Sequence, residues 1–336
     1  MIEFSIVIPT RDGAATIGRT IASALAQTYP HFEIVVLESG SSDDTRAVVT
    51  SFDDDRLKLL ADDRALDICA NWRRILELDL KPYLTILGHD DVLYPDFLSE
   101  IARLIEAQPG ASLYHTHFNL IDGADCVIRR CKPFLAWESG ESFLRERQHY
   151  RRDLFATGYV MRSDDYKRVG GFPPFAELYY ADDFCFYRLG AIGGVACSPK
   201  IAFGYRYHRA SAAYRVDLLT LYDASRAYLL ALSQTEYWRR PENRALARAF
   251  VEKTFARRRH RLVYDLIVRG NAAEVAAYRR DSRLLFERAA ADRLFAVSDP
   301  AAALLERLLD LPPGAVKRLT AGVIRAFAVA TRGMRK

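Results

Sequence analysis

Through the first 120 residues, apolar runs of strand length alternate with stretches whose apolar residues recur every three or four positions. SIVIPT (5–10), FEIVVLE (32–38), RLKLL (56–60), YLTIL (83–87) and ASLYHTHFNLI (111–121) read as strands. Between them, helices are predicted over 15–27, from the Ser42-Asp43-Asp44 opening onward, over 71–80 and over 95–107. This alternation predicts an α/β fold on a mostly parallel, doubly wound sheet flanked by helices, with ligands gathering at the carboxyl ends of the strands. Each strand runs out into polar residues at that end: Thr10-Arg11-Asp12, Glu38-Ser39, Asp62-Asp63 and His89-Asp90-Asp91.

Between 125 and 148 the pattern loosens and no strand is placed. Order returns with ATGYVMR (156–162), a helix over 164–169, a turn at Gly170-Gly171-Phe172-Pro173, a helix over 181–192 stopped by Gly193-Gly194, and IAFGYRYHRAS (201–211). Beyond that, Leu/Ala/Arg-rich segments near 215–235, 243–268, 271–294, 299–310 and 315–332 all read as helical. The expected organisation is an α/β domain over 1–212 followed by an all-helical region over 213–336.

Composition adds a division of charge. The net +5 of 336 residues hides 24 Lys and Arg against 13 Asp and Glu in residues 211–336, and 24 against 30 before them. Five cysteines, an odd number with no C-x-x-C pair, fit a reducing compartment better than a disulfide framework. No leader pattern precedes the first strand, and no uncharged apolar run reaches the roughly 18 to 20 residues of a membrane span. The expected location is cytoplasmic, with peripheral attachment to the inner face of the cell membrane left open. No zinc-ligand spacing or RNA-binding signature accompanies the basic charge, so nucleic acid is not an expected partner.

The strand that ends in LGHDDVLYPDF carries the candidate chemistry. It delivers two adjacent carboxylates, Asp90 and Asp91, into a loop at a strand's end. Such a pair suits a hard divalent cation, Mg²⁺ or Mn²⁺, with phosphate oxygens completing the shell. The other Asp-Asp pairs, starting at 43, 53, 62, 164 and 182, read first as helix caps or solvated turns.

Taken together, SIVIPTRDGAATIGRTIASALAQTYPHFEIVVLESGSSDDT, LGHDDVLYPDFL, YYADDFCFYRL and Tyr205-Arg206-Tyr207-His208 resemble, in that order, glycosyltransferase family 2, over roughly residues 3–211. The resemblance implies a GT-A fold and an inverting, nucleotide-sugar-dependent transferase, with a UDP-sugar favoured as donor. The acceptor would be a glycan or lipid-linked hydroxyl, in bacterial surface polysaccharide or glycolipid assembly. It places Pro9, Thr10 and Arg11 beside the nucleoside and puts Glu38 where the family has an Asp that reads uracil or ribose. Ser39 stands where a second acid is common. Gly88 occupies the first acidic position of the D-x-D region, leaving Asp90 to face ribose or metal and Asp91 to ligate the Mn²⁺ or Mg²⁺ directly. His89 is a metal or phosphate contact or a solvent-facing loop histidine. Asp182 falls on the base that deprotonates the acceptor, with Asp183 in reserve and Ala181 where Glu is usual. Arg206 and His208 would meet the diphosphate, and His208 can also ligate the metal.

The closing segment AVKRLTAGVIRAFAVATRGMRK sets an apolar stripe against basic residues, fitting either an anionic membrane surface or a protein face, and Arg257-Arg258-Arg259-His260-Arg261 adds to the membrane side. A sugar nucleotidyltransferase would open with a Gly-rich phosphate loop, and only Gly13 follows SIVIPT. The remaining alternative is a catalytically inactive nucleotide-sugar-binding or scaffold protein on the same fold, since Gly88, Ser39 and Ala181 each replace a common acid.

Overall fold

A computed structural model of the chain describes residues 1–207, 216–269, 271–292, 295, 297 and 306–310. Its first compact unit comprises residues 1–216 with 223–247, and its second residues 217–222 with 248–336.

The first unit is built on one mixed sheet. β1 (Phe4–Thr10), β2 (Phe32–Ser39), β3 (Leu57–Asp62) and β4 (Tyr83–Ile86) pair in parallel in the order β3-β2-β1-β4. All seven residues of β1 are buried, as expected of a central strand covered on both faces, whereas edge strand β3 alternates. The crossovers are α1 (Ile17–Leu25), α2 (Thr45–Thr50) and α3 (Ile68–Arg73), the last ending in a 3₁₀ turn at Arg74–Glu77. Ile17, Thr20, Ile21 and Ala24 of α1 are buried at helical spacing. The predicted helix over 71–80 is thus short, and shifted toward its Asp67 cap, whose side chain accepts the Ala70 amide.

The sheet then departs from the parallel pattern. β6 (Leu113–Ile121) and β10 (Val195–Arg206) pair in parallel, but β9 (Tyr159–Arg162) lies antiparallel between β4 and β6. The two-residue β5 (Val92–Leu93) runs antiparallel to β10. The patternless stretch forms β7 (Val127–Arg130), β8 (Trp137–Glu138) and α5 (Gly140–Gln148). α4 (Phe97–Ala107) buries Phe97, Leu98, Ile101, Ala102 and Ile105 in the core shared by β1 and β2. α6 (Ser163–Arg168) and α7 (Ala181–Gly193) precede β10.

The helices that follow are α8 (Leu218–Ser233), α9 (Pro241–Arg269) and α10 (Ala272–Asp292). Within the second unit, Arg259 is only 2% exposed, and its guanidinium donates to the Glu306 carboxylate at 2.6 and 3.0 Å. That side chain is therefore not available to a membrane surface, although the basic run around it suggested one. The predicted helix over 315–332 lies outside the described residues. Among the described residues, no helix is long and apolar enough to cross a membrane.

Candidate active site

The loops leaving β1 and β2 are sewn together. The Gly13 amide donates to Thr45 Oγ1 at 2.8 Å, the Ala14 amide to Asp43 Oδ2 at 3.0 Å, and the Ser42 amide to Asp12 Oδ1 at 2.7 Å. Pro9 sits in β1 opposite Leu37, and Thr10 Oγ1 lies 3.1 Å from His89 Nδ1, so both residues floor this end of the sheet. Arg11 is half-exposed, with a long contact to the Leu66 carbonyl at 3.4 Å. Glu38 is fully buried and its carboxylate serves as an internal clamp: Oε1 accepts the Ser41 amide at 2.6 Å and Oε2 accepts Arg46 Nε at 2.5 Å.

Two residues that sequence reasoning missed brace this end. Buried Asn71 donates to the Leu37 carbonyl at 3.1 Å, and Arg74 bonds both Asn71 Oδ1 and the Glu38 carbonyl at 2.9 Å. An amide and a guanidinium three apart on the first helix after β3 was the available signal.

At the end of β4 the chain turns through Gly88, with the Asp91 amide donating back to the Gly88 carbonyl at 3.0 Å. Asp91 is 1% exposed, and both carboxylate oxygens are held: Thr157 Oγ1 donates to Oδ2 at 2.6 Å and the Arg206 amide to Oδ1 at 2.8 Å. Burial and the neighbouring Asp90 charge push its pKa well above the carboxylate range, against the Thr157 and Arg206 bonds. Asp90 is the more open of the pair. A Cβ on Gly88 would lie 2.7 Å from Asp91 Oδ2 and 3.0 Å from Asp90 Oδ1, so the glycine keeps clear the space that both carboxylates occupy.

Arg206 is 3% exposed and its guanidinium is committed. Nε donates to the Asp90 carbonyl at 2.6 Å, and the terminal nitrogens bond the Asp122 carbonyl and the Asp125 carboxylate. It ties the aspartate loop to the turn after β6. His208 lies outside the described residues. Among the described residues, no three His, Cys, Asp or Glu side chains form a metal cluster. Asp90, backed by Asp91, nevertheless fits Mn²⁺ or Mg²⁺ held mainly by phosphate oxygens, since such ions keep most of their shell for substrate and water.

Asp182 opens α7 after a strained approach in which Glu177, Leu178 and Tyr180 all have positive φ, at 53°, 53° and 65°. Its Oδ1 accepts the Asp183 amide at 2.9 Å. Asp182 is half-buried, and the surrounding protein, followed by the Asp183 charge, pushes its pKa up to about 7 against the pull of Arg147. Asp183 is 1% exposed and paired with Arg147 Nε at 2.9 Å.

Tyr205 on β10 joins the two acidic regions. Burial, then the charges of Asp91, Asp90 and Asp182, raise its phenol above the ordinary range. The tyrosine stacks on Phe155 with ring centroids 3.6 Å apart and planes within 8°. The adjacent Asp90 and Asp91 and the distant Asp182 therefore lie within electrostatic reach of one side chain. A separate hollow lined by Lys81, Tyr83, Ser112, Arg162 and Asp165 lies at the amino ends of β4 and β6, away from these acids.

Residues 5–160 match the glycosyl transferase family 2 model. An uncharacterized glycosyltransferase of Rickettsia prowazekii is 38% identical over 130 residues, covering 38% of this chain and 40% of the relative. The Escherichia coli enzyme named UDP-Glc:alpha-D-GlcNAc-diphosphoundecaprenol beta-1,3-glucosyltransferase WfgD is 34% identical over 129 residues, 38% of this chain and 51% of the relative. The chain thus spans about half or less of these two relatives. The crystal structure of S. aureus TarS 1-349 in complex with UDP-GlcNAc superposes with a TM-score of 0.63 at 13% identity, covering 82% of this chain and 78% of that one. Residues 5–160, a little under half of the chain, are thus similar to glycosyl transferase family 2, on a mixed α/β sheet of the GT-A kind.

Proposed function

We propose that the protein is an inverting glycosyltransferase that moves a sugar from a nucleotide-diphosphate donor, a UDP-sugar by preference, to the hydroxyl of a glycan or lipid-linked acceptor. The observation that carries this reading is that Asp90, Asp91 and Asp182 all lie within electrostatic reach of the buried Tyr205, which supports an acid pair and a near-neutral carboxylate sharing one cleft. A base with a pKa near the working pH is ionised often enough to act and basic enough to take an alcohol proton in the transition state. Asp182 fills that role. Asp183, buried in its ion pair, does not, and a single accessible base suits direct displacement with inversion.

Asp90 would meet a Mn²⁺ or Mg²⁺ ion, with the buried Asp91 held behind it by Thr157 and the Arg206 amide. The ion would supply neutralisation of the diphosphate leaving group. His208 is the proposed basic contact to the diphosphate, because the Arg206 guanidinium is spent on the loops. The UDP moiety in the WfgD name and in the TarS complex supports a UDP-sugar donor, and the diphosphoundecaprenol acceptor in the WfgD name supports a lipid-linked one in surface glycan assembly. Such an acceptor would favour a peripheral position on the membrane.

The test is UDP release from UDP-glucose and UDP-N-acetylglucosamine with Mn²⁺. Asp182→Asn should lose at least about 100-fold in kcat while still binding UDP. Asp90→Ala should lose Mn²⁺-dependent UDP binding in calorimetry. Turnover by Asp182→Asn equal to wild type would refute the base assignment, and UDP binding without turnover of a donor panel would point to a nucleotide-sugar-binding protein.

A further inference from the structure

Two helices outside the β1–β4 crossovers come together behind Asp182. α5 and α7 pack antiparallel at glycines: a Cβ on Gly190 would lie 2.6 Å from Gly140 Cα, and one on Gly140 would lie 2.4 Å from the Tyr187 carbonyl oxygen. Seven residues along each helix from that crossing, two turns or about 10 Å, stand Arg147 and Asp183. Their side chains meet at 2.9 Å, with Asp183 1% and Arg147 23% exposed. The pair connects directly to Asp182, whose Oδ1 accepts the Asp183 amide.

We propose that Arg147 is a positioning residue for the transfer: it holds Asp183 as a fixed buried anion, so that Asp182 is the carboxylate free to exchange a proton with the acceptor. The proposal rests on the reading of Asp182 as the base. Two adjacent carboxylates out of water repel, and without a cation one of them takes a proton that neither can readily give up. A guanidinium does not titrate, so its charge is constant wherever the enzyme works. The other titratable groups acting with or on Asp182 are Cys185 of α7, Tyr159 of β9 and Tyr205 of β10, all pushed upward by burial and neutral near pH 7. Tyr179 lies close to Arg147. Burial pushes the Asp183 carboxyl up as well, and among these groups Arg147 contributes the positive charge that opposes it.

A merely structural ion pair and a positioning one differ in sign. With ¹³C-carboxyl-labelled aspartate, the Asp182 resonance can be assigned as the one missing in Asp182→Asn and titrated by NMR. Arg147→Met should raise the Asp182 titration by about one pH unit or more, and Asp183→Asn should lower it by a comparable amount. Arg147→Lys should keep it near wild type, and the double variant Arg147→Met/Asp183→Asn should return toward it. The acid limb of UDP release from UDP-N-acetylglucosamine with Mn²⁺ should follow the same signs, with kcat affected and donor KM unchanged. Shifts of equal sign in the two single variants, or none in folded protein, would overturn the proposal. Should Arg147→Met fail to fold, Asp183→Asn and the double variant still test the signs. Correct signs with full turnover by Asp182→Asn would instead refute the base assignment, and Arg147's part in transfer with it.

Discussion

Replacing the proposed base by its isostere should make the protein more stable, by an amount that grows with pH. Asp182 ionises near its ordinary 3.8 in the unfolded chain and near 7 in the fold. The native state therefore retains a proton that the unfolded state has lost. Stability from this group is full below about pH 3.8 and declines as pH rises through about 7. At about 1.4 kcal/mol per pH unit the whole interval is worth about 4 kcal/mol. Screening of a half-buried carboxylate reduces this to about 2 kcal/mol. Asp182→Asn has no proton to lose, so it should melt close to wild type at pH 4 and about 4 °C higher at pH 8, at about 2 °C per kcal/mol for a chain of this size. Thermal melts of both proteins at pH 4, 6 and 8 give the answer. An advantage that stays constant with pH, or a variant less stable than wild type at pH 8, would refute the reasoning. The same variant should be inactive, an exchange of function for stability common at active sites.

Three further outcomes follow from the aspartate loop. Gly88→Asp, which restores the family's acid, should weaken Mn²⁺-dependent UDP binding at least about 10-fold in calorimetry, because its Cβ would enter the space of Asp91 Oδ2 at 2.7 Å. Thr157→Val removes the donor to a buried carboxylate oxygen and should cost about 1 to 3 kcal/mol in urea denaturation, with Thr157→Ser recovering most of it. Arg206→Met should release the 122–125 turn, lowering stability by about 2 kcal/mol and exposing that turn to limited proteolysis, while Arg206→Lys recovers only part because a fork of donors is needed.

Periodicity and order along the chain were enough to establish the α/β class, the crossover helices between β1 and β4 and the acids at strand ends. These depend on local burial: a strand covered on both faces must read as FSIVIPT, and a helix on a sheet must repeat its apolar residues as α1 does. The antiparallel β9 between β4 and β6 was not legible, since a four-residue strand carries no sign of direction, and the 125–148 segment hid α5 because few of its residues are apolar. At the site, sequence names which residues are ionisable but not what they touch. Glu38 and Arg206, expected from sequence as ligand contacts, also serve as internal clamps, because each is buried beside partners from distant segments, Arg46 for one and Asp122 with Asp125 for the other. Asp182 and Asp183 are neighbours of one type, and the packing of α5 on α7 distinguishes them: Arg147 pairs with Asp183, while burial and the Asp183 charge push Asp182 up to about 7. Charge identity is local, whereas burial and pairing depend on which distant chain segments the fold brings alongside.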